Sequence, residues 1–232
     1  MNHVSGENRG LPAATTKPSI RYFASGCALL LFIACSAQIQ AGSLTVTVLD
    51  KQGKAVPDVV VYLEGALIAK KNKPEHIEIS QKDKKFVPLV SVMQTGGTVS
   101  FPNNDTVQHH VYSFSPVKRF ELKLYAGTPS SPVIFDKPGT ATLGCNIHDS
   151  MLAYIYIVDT PLFGKTDAQG TIQFNDLNNG DYVVKTWHFQ NPNDLATKPE
   201  SLLHKGESKM TINLAYKAKE WVAPKSDSPY NY

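Results

Sequence analysis

The sequence predicts an all-β protein of the β-sandwich kind, and two features of the stretch beyond residue 42 carry that expectation. Short runs rich in Val, Ile, Thr, Tyr and Phe recur along the chain, and Gly, Pro, Asn and Asp fill the gaps between them. No long stretch has the 3.6-residue period of an amphipathic helix; the segments near Lys70 and Leu202 that come closest are short and flanked by proline. At 232 residues the chain has room for one large or two small β-domains.

The first run, SLTVTVLD, alternates: Leu44, Val46 and Val48 share one face, Thr45 and Thr47 the other. A turn at Lys51-Gln52-Gly53 leads to a strand, VVVYLEG, from Val59. Further strands are expected in HIEIS, FVPLVSVM, GTVSFPN, HHVYSFS, FELKLYAG, GTATLG, LAYIYIVD, GTIQFND, DYVVKTWH and MTINLAY. Their short, turn-punctuated spacing is that of a sandwich.

Residues 1–41 stand apart. They are polar up to Arg21, apolar from Tyr22 to Cys35, then small and polar to Ala41. A basic flank, a short apolar stretch and a cleavage site in that order are expected of a secretory signal. The apolar stretch is shorter than the ~20 residues a membrane-spanning helix needs. An uncleaved anchor, or a lipoprotein signal lipidated on Cys35, is the alternative; Phe32 stands where a lipobox usually has an aliphatic residue. Export places the mature chain in the periplasm, with no stable membrane span. Removing residues 1–41 takes Arg9, Lys17, Arg21 and Glu7 from the 23 basic and 20 acidic residues, which leaves 20 against 19. No basic stripe remains to attract a nucleic acid.

Cys27 and Cys35 lie in the apolar stretch, so Cys145 is the one cysteine expected in the mature chain. Oxidising compartments usually pair their cysteines. The odd thiol is therefore buried and inert, paired with another chain, or held by a metal. Its neighbours favour the metal: Cys145, His148 and Met151 follow the pattern Cys-x-x-His-x-x-Met on a loop between two expected strands. A thiolate, an imidazole and a thioether suit a soft ion, and two His, one Cys and a weak axial Met form the blue-copper ligand set. The second imidazole is offered by VSFPNNDTVQHHVYSFS, from His109 or His110. Any one of these side chains alone would be read as an ordinary core or surface residue; their spacing carries the reading.

On these residues the chain resembles the cupredoxins, and most closely the amicyanins in its ligand loop. Phe135, Gly139 and Thr140 precede Cys145 at that family's F-x-x-x-G-T spacing. Phe101 and Asn103 fall on its aromatic-x-Asn, His109 on its first His ligand and Val111 on its Val. The resemblance covers roughly residues 73–159. It implies a Greek-key sandwich and one type 1 copper ion held by His109, Cys145, His148 and Met151, with Asn103, His110 and Asn146 around them. Two positions depart from the family: His110 stands where Asn usually follows the first His ligand, and Asp149 where Pro or Gln often follows the second.

The flanks, LTVTVLDKQGKAVPDVVVYLEG and FGKTDAQGTIQFNDLNNGDYVVKTWH, resemble the two signature pieces of a carboxypeptidase-regulatory-like (prealbumin-like) sandwich. The implied layout is a cupredoxin domain at 73–159, flanking segments at 42–72 and 160–217 that form a second sandwich or extend the first, and a flexible tail at 218–232. The whole arrangement is similar to small exported proteins called methylamine utilization proteins, or plastocyanin-like proteins. The implied function is a periplasmic carrier of single electrons between redox proteins such as a dehydrogenase and a c-type cytochrome. Electrons would pass the exposed edge of His148, with Pro102, Pro116 and Leu152 around it. The alternatives are a copper storage or delivery protein and a structural sandwich with a vestigial site. An enzyme is not expected, because nothing resembles a second, substrate-activating copper; His-Glu-x-x-His, Gly-x-Ser-x-Gly, the haem-attachment motif Cys-x-x-Cys-His and a phosphate loop are also missing from the sequence. His188 should pack or face solvent, and His76 and His204 are expected at the surface.

Overall fold

The computed structural model describes residues 42–65, 68, 75–129, 131–191 and 199–222. The expected signal segment, with Cys27 and Cys35, and residues 223–232 of the expected tail lie outside the described residues. All regular elements described are strands: β1 (Gly42–Leu49), β2 (Val60–Glu64), β3 (His76–Glu78), β4 (Ser80–Lys82), β5 (Lys85–Val87), β6 (Val90–Gln94), β7 (Gly97–Ser100), β8 (His109–Ser113), β9 (Phe120–Tyr125), β10 (Val133–Phe135), β11 (Gly139–Gly144), β12 (Leu152–Val158), β13 (Phe163–Lys165), β14 (Thr171–Leu177), β15 (Gly180–Trp187), β16 (Glu200–His204) and β17 (Glu207–Asn213). They form sheets ordered β6-β12-β11-β8-β9, β10-β7-β3, β14-β1-β17 and β13-β2-β15-β16, with β4 and β5 as a separate hairpin. Among the described residues no sheet mixes strands of 73–159 with strands of the flanks.

Three apolar clusters explain the layering. The first fills the space inside β3–β12, with Val99, Phe101, Val111, Phe135, Ala141, Leu143, Ala153, Ile155 and Ile157 almost fully buried. The second lies between β14-β1-β17 and β13-β2-β15-β16 and takes in Leu44, Val46 and Val48, the alternating face of β1. The third joins the two bodies: Val60, Tyr62, Val90, Val158 and Trp187 pack together, with Tyr154 and Tyr156 against them. β12 therefore buries both faces, its Ala153, Ile155 and Ile157 on one side and its tyrosines on the other. That is why LAYIYIV reads as a continuous apolar run rather than as an alternation. At the junction Tyr156 stacks on Trp187, ring centroids 4.9 Å apart. Lys165 Nζ donates to the Asp58 carboxylate and to the Val90 carbonyl, each at 2.6 Å.

The turns of the flanking body follow from its D-x-x-G pieces. Asp50 Oδ1 accepts from the amides of Gln52 and Lys54, and Asp167 Oδ1 from those of Gln169 and Thr171. In each turn the aspartate supplies the acceptors that a reversing backbone lacks. Gly170 closes the second turn at φ 70°, and a Cβ there would sit 2.7 Å from the Val48 carbonyl oxygen. Of the expected tail, residues 218–222 are described: Lys219 exchanges hydrogen bonds with Gln190, and Trp221 meets Phe189 edge-on.

His188 and His204 are buried, at 5 % and 0 % exposure. For His204 this corrects the expected surface position: its Nδ1 pairs with Ser208 Oγ at 2.9 Å, which allows the ring to enter the interior. His188 Nδ1 pairs with the Tyr216 hydroxyl at 2.7 Å. Burial pushes the His188 pKa down from 6.5 to about 4, against a smaller upward pull from Asp58. The unfolded chain therefore takes up a proton near pH 6.5 that the folded chain refuses until about pH 4. Stability is unaffected by this group above that window and falls by up to about 3 kcal/mol as pH drops through it. Urea unfolding at pH 7 and pH 4.5 should show a smaller acid loss in His188→Gln than in the wild type. An equal loss in both would remove His188 from the account.

Candidate metal centre

Three strand ends meet at the residue before Cys145. Gly144 of β11 pairs with Leu152 of β12 and with Tyr112 of β8. The Tyr112 ring crosses Gly144 so closely that a Cβ there would lie 2.6 Å from it, which only glycine permits without displacing the ring. Beyond Gly144 the chain leaves the sheet, and the Met151 amide bonds back to the His148 carbonyl at 3.0 Å before β12 begins. The Cys-x-x-His-x-x-Met spacing is thus the length of one short loop closed by one turn. His109 opens β8, where the two-residue period aims His109, Val111 and Ser113 inward and His110 and Tyr112 outward.

This places His109, Cys145 and His148 so that one ligand-type atom from each lies within 4.8 Å of the others. His109 Nδ1 is 4.0 Å from Cys145 Sγ, and the two imidazole rings stand 5.0 Å apart at 60°. His109 is fully buried and Cys145 is 4 % exposed, whereas His148 keeps partial access to solvent. Desolvation first, and His109 second, lower the His148 pKa and so favour its neutral ring. Its Nδ1 is buried without a hydrogen-bond partner among the described residues. An unpartnered buried nitrogen, a free buried thiol and a second imidazole directed at one point fit a soft or borderline metal ion. Met151 is 2 % exposed and packs in the same apolar cluster as Cys145.

The body formed by β3–β12 is built from the sheets β6-β12-β11-β8-β9 and β10-β7-β3 with the β4–β5 hairpin. Within it the other expected positions differ in what they do. Asn103 is buried; its Nδ2 donates to the carbonyls of Val107 and Tyr125, and its Oδ1 accepts from the Asp105 amide, so it holds the loop leading to His109. His110 faces the outer side of the sheet, where Nε2 pairs with Glu121 at 3.0 Å. Asn146 is exposed. Pro102 is buried and Leu152 half-buried near the loop, but Pro116 sits in the β8–β9 turn, at the end of β8 away from His109, and cannot border His148.

Two neighbours of these residues were not among the expected ones. The Asp105 carboxylate lies 2.6 Å from His109 Nε2. Burial alone would raise its pKa, but the amides of Lys84 and Asp83 and the His109 ring together hold it below the usual carboxylate range. Tyr125 donates its hydroxyl proton to the Phe101 carbonyl at 2.7 Å. Burial first, opposed by Gln81 and aided by Cys145, pushes its pKa up to about 12.

No protein-family model and no curated protein sequence matches the chain. Solved structures similar to it include a copper-containing nitrite reductase from Thermus scotoductus SA-01, at 23 % identity and TM-score 0.34 over 40 % of this chain and 25 % of that one. A purple cupredoxin from Nitrosopumilus maritimus is similar at 17 % identity and TM-score 0.32, over 35 % of this chain and 98 % of that one. Amicyanin from Paracoccus versutus is similar at 14 % identity and TM-score 0.31, over 35 % and 80 % of the two chains. The chain thus spans about a quarter of the nitrite reductase it matches.

Proposed function

We propose that this is an exported carrier of single electrons with one type 1 copper ion, held by His109, Cys145, His148 and Met151. The observation that carries the reading is the meeting of a buried thiol with two imidazoles, one of whose nitrogens is buried and unpartnered. Of the three explanations for a lone cysteine, pairing with another chain suits a thiol with 4 % exposure poorly. Copper bound there would supply a one-electron couple between Cu(I) and Cu(II).

The chain's own residues account for the rest. Cys145 supplies a thiolate at the end of a central strand, where the sheet fixes its position. His109 is the first residue of a neighbouring strand, and Cys145 directly follows the last residue of β11, so these two donors are held by the sheet. Such a frame changes little between two oxidation states. His148 is the donor with access to solvent, beside the exposed Ile147. Contact with a partner through so small an edge suits brief redox encounters. Periplasmic partners such as a c-type cytochrome or a dehydrogenase fit a mature chain of nearly neutral charge, and the expected role is transfer rather than catalysis.

The test is to add Cu(II) to the mature protein and record visible and EPR spectra beside two variants. One equivalent should bind and give an intense thiolate–copper band. His109→Ala should lose the band, whereas His110→Ala should keep it. Loss only in His110→Ala would mean that the wrong imidazole is assigned; no band in the wild type would remove the copper reading.

A further inference from the structure

The contact behind His109 is more elaborate than a ligand loop needs. Asp105 Oδ2 lies 2.6 Å from His109 Nε2, and the same oxygen accepts from the Lys84 amide at 3.0 Å. Asp105 Oδ1 accepts from the Asp83 amide at 2.6 Å. Asp83 and Lys84 form the two-residue turn of the β4–β5 hairpin, both at positive φ, as such tight hairpins require. That turn is more than twenty positions away in sequence, yet it points both its amides at one carboxylate. The Asp105 amide is itself tied to Asn103 Oδ1 at 3.0 Å.

These donors decide the protonation pattern. Both carboxylate oxygens already accept from backbone N–H groups, so the carboxylate is the acceptor toward His109 as well. The proton in that contact then belongs to His109 Nε2, so that in the neutral ring the lone pair is on Nδ1. Nδ1 is the nitrogen that faces Cys145 Sγ, at 4.0 Å. His109 is completely buried and the Asp105 side chain 13 % exposed, so solvent screens their interaction little.

We propose that Asp105 is a positioning residue for the centre: it fixes His109 as the Nε2–H tautomer, aims Nδ1 at Cys145, and through its charge favours the oxidised ion over the reduced one. A neutral acceptor, such as a carbonyl, would serve the first two roles but not the third. A carboxylate behind an imidazole makes that imidazole a stronger donor. The stronger donor stabilises the more highly charged ion more, which lowers the reduction potential. The β4–β5 hairpin belongs to this device, since its turn amides hold the carboxylate in place.

The tautomer half needs no copper and stands or falls independently of the proposed function; the redox half rests on it. Two-bond proton–nitrogen correlation spectra of the metal-free, nitrogen-15-labelled wild type should show His109 protonated on Nε2 and bare on Nδ1. The opposite tautomer would overturn the proposal. Asp105→Ala should bind Zn(II) ~10–100-fold more weakly in a competition titration. Asp105→Asn keeps a neutral acceptor and removes the charge. It should lose Cu(II) affinity ~tenfold more than Cu(I) affinity, which is a rise in potential of about 59 mV. If Asp105 only pinned the loop, both oxidation states would weaken equally and the potential would stay put, and that result would overturn the electrostatic role. Should Asp105→Ala fail to fold, the wild-type spectra and Asp105→Asn still decide.

Discussion

Cys145→Ser is expected to abolish the intense visible band that the proposed copper site would give and to weaken copper binding more than about a hundredfold. Changes to residues behind the ligands already cost ~10–100-fold at metal sites, so loss of the thiolate itself should cost more. Serine offers a hard, protonated oxygen in place of a soft anion, and no covalent sulfur–copper absorption can arise. The fold should survive. The Sγ position is 4 % exposed in an apolar cluster, and one buried hydroxyl costs the metal-free protein about 1–3 kcal/mol in urea unfolding. Loss of colour with a folded chain is therefore the expected pair of results. A band that persists in the serine variant would show that the thiolate is not a ligand.

Phe135→Ala is expected to cost ~3–5 kcal/mol, among the largest stability losses that one substitution in this body can cause. Phe135 has no exposed surface and sits edge-on to Phe120, with centroids 6.1 Å apart. Its backbone also anchors β10 against β7, where it pairs with Gly97, and its carbonyl accepts from the Gly96 amide at 2.7 Å. The alanine variant keeps these backbone bonds and leaves a cavity among Val99, Ala141 and Ile157, which belong to the same apolar cluster. Against a typical total of ~5–15 kcal/mol, such a loss lowers the urea midpoint substantially. A loss below about 1 kcal/mol would mean that the cluster closes over the gap, contrary to a packed core.

Much of this was legible in the sequence because it depends on local periodicity and spacing. β1 was visible from Leu44, Val46 and Val48, and β8 from the β-forming run HHVYSFS. The Cys145, His148 and Met151 loop was visible because its length is set by one turn. Four strands were not seen: β4, of which only Ser80 fell in an expected run, β10, β13 and β16. Three are three residues long, and β16 buries only alternate positions of Glu200–His204 at a sheet edge. Their pairing partners hold them, and nothing within the segments announces it.

The nearness of His109, Cys145 and His148 was legible in the sequence, and so was Asn103, but the rest of what holds them was not. Asp105 stands four residues before His109, a spacing that would have drawn attention if the intervening residues had been read as a turn held by Asn103. The two amides of the hairpin carry no sequence signature at all, since any residue has an N–H. His110 was expected beside the proposed metal because it stands where the resembled family usually has Asn after its first His ligand. In a strand, adjacency puts two side chains on opposite faces, and Glu121 claims the outward one.

The most direct test of the central claim is voltammetry of the copper-loaded mature protein, with the visible spectrum recorded before and after each cycle. A single reversible one-electron wave is expected, with one copper ion retained per chain and the thiolate–copper band restored at every reoxidation. Copper that leaves the protein on reduction, or a band that does not return, would contradict an electron carrier and identify instead a chain that holds the ion only to give it up.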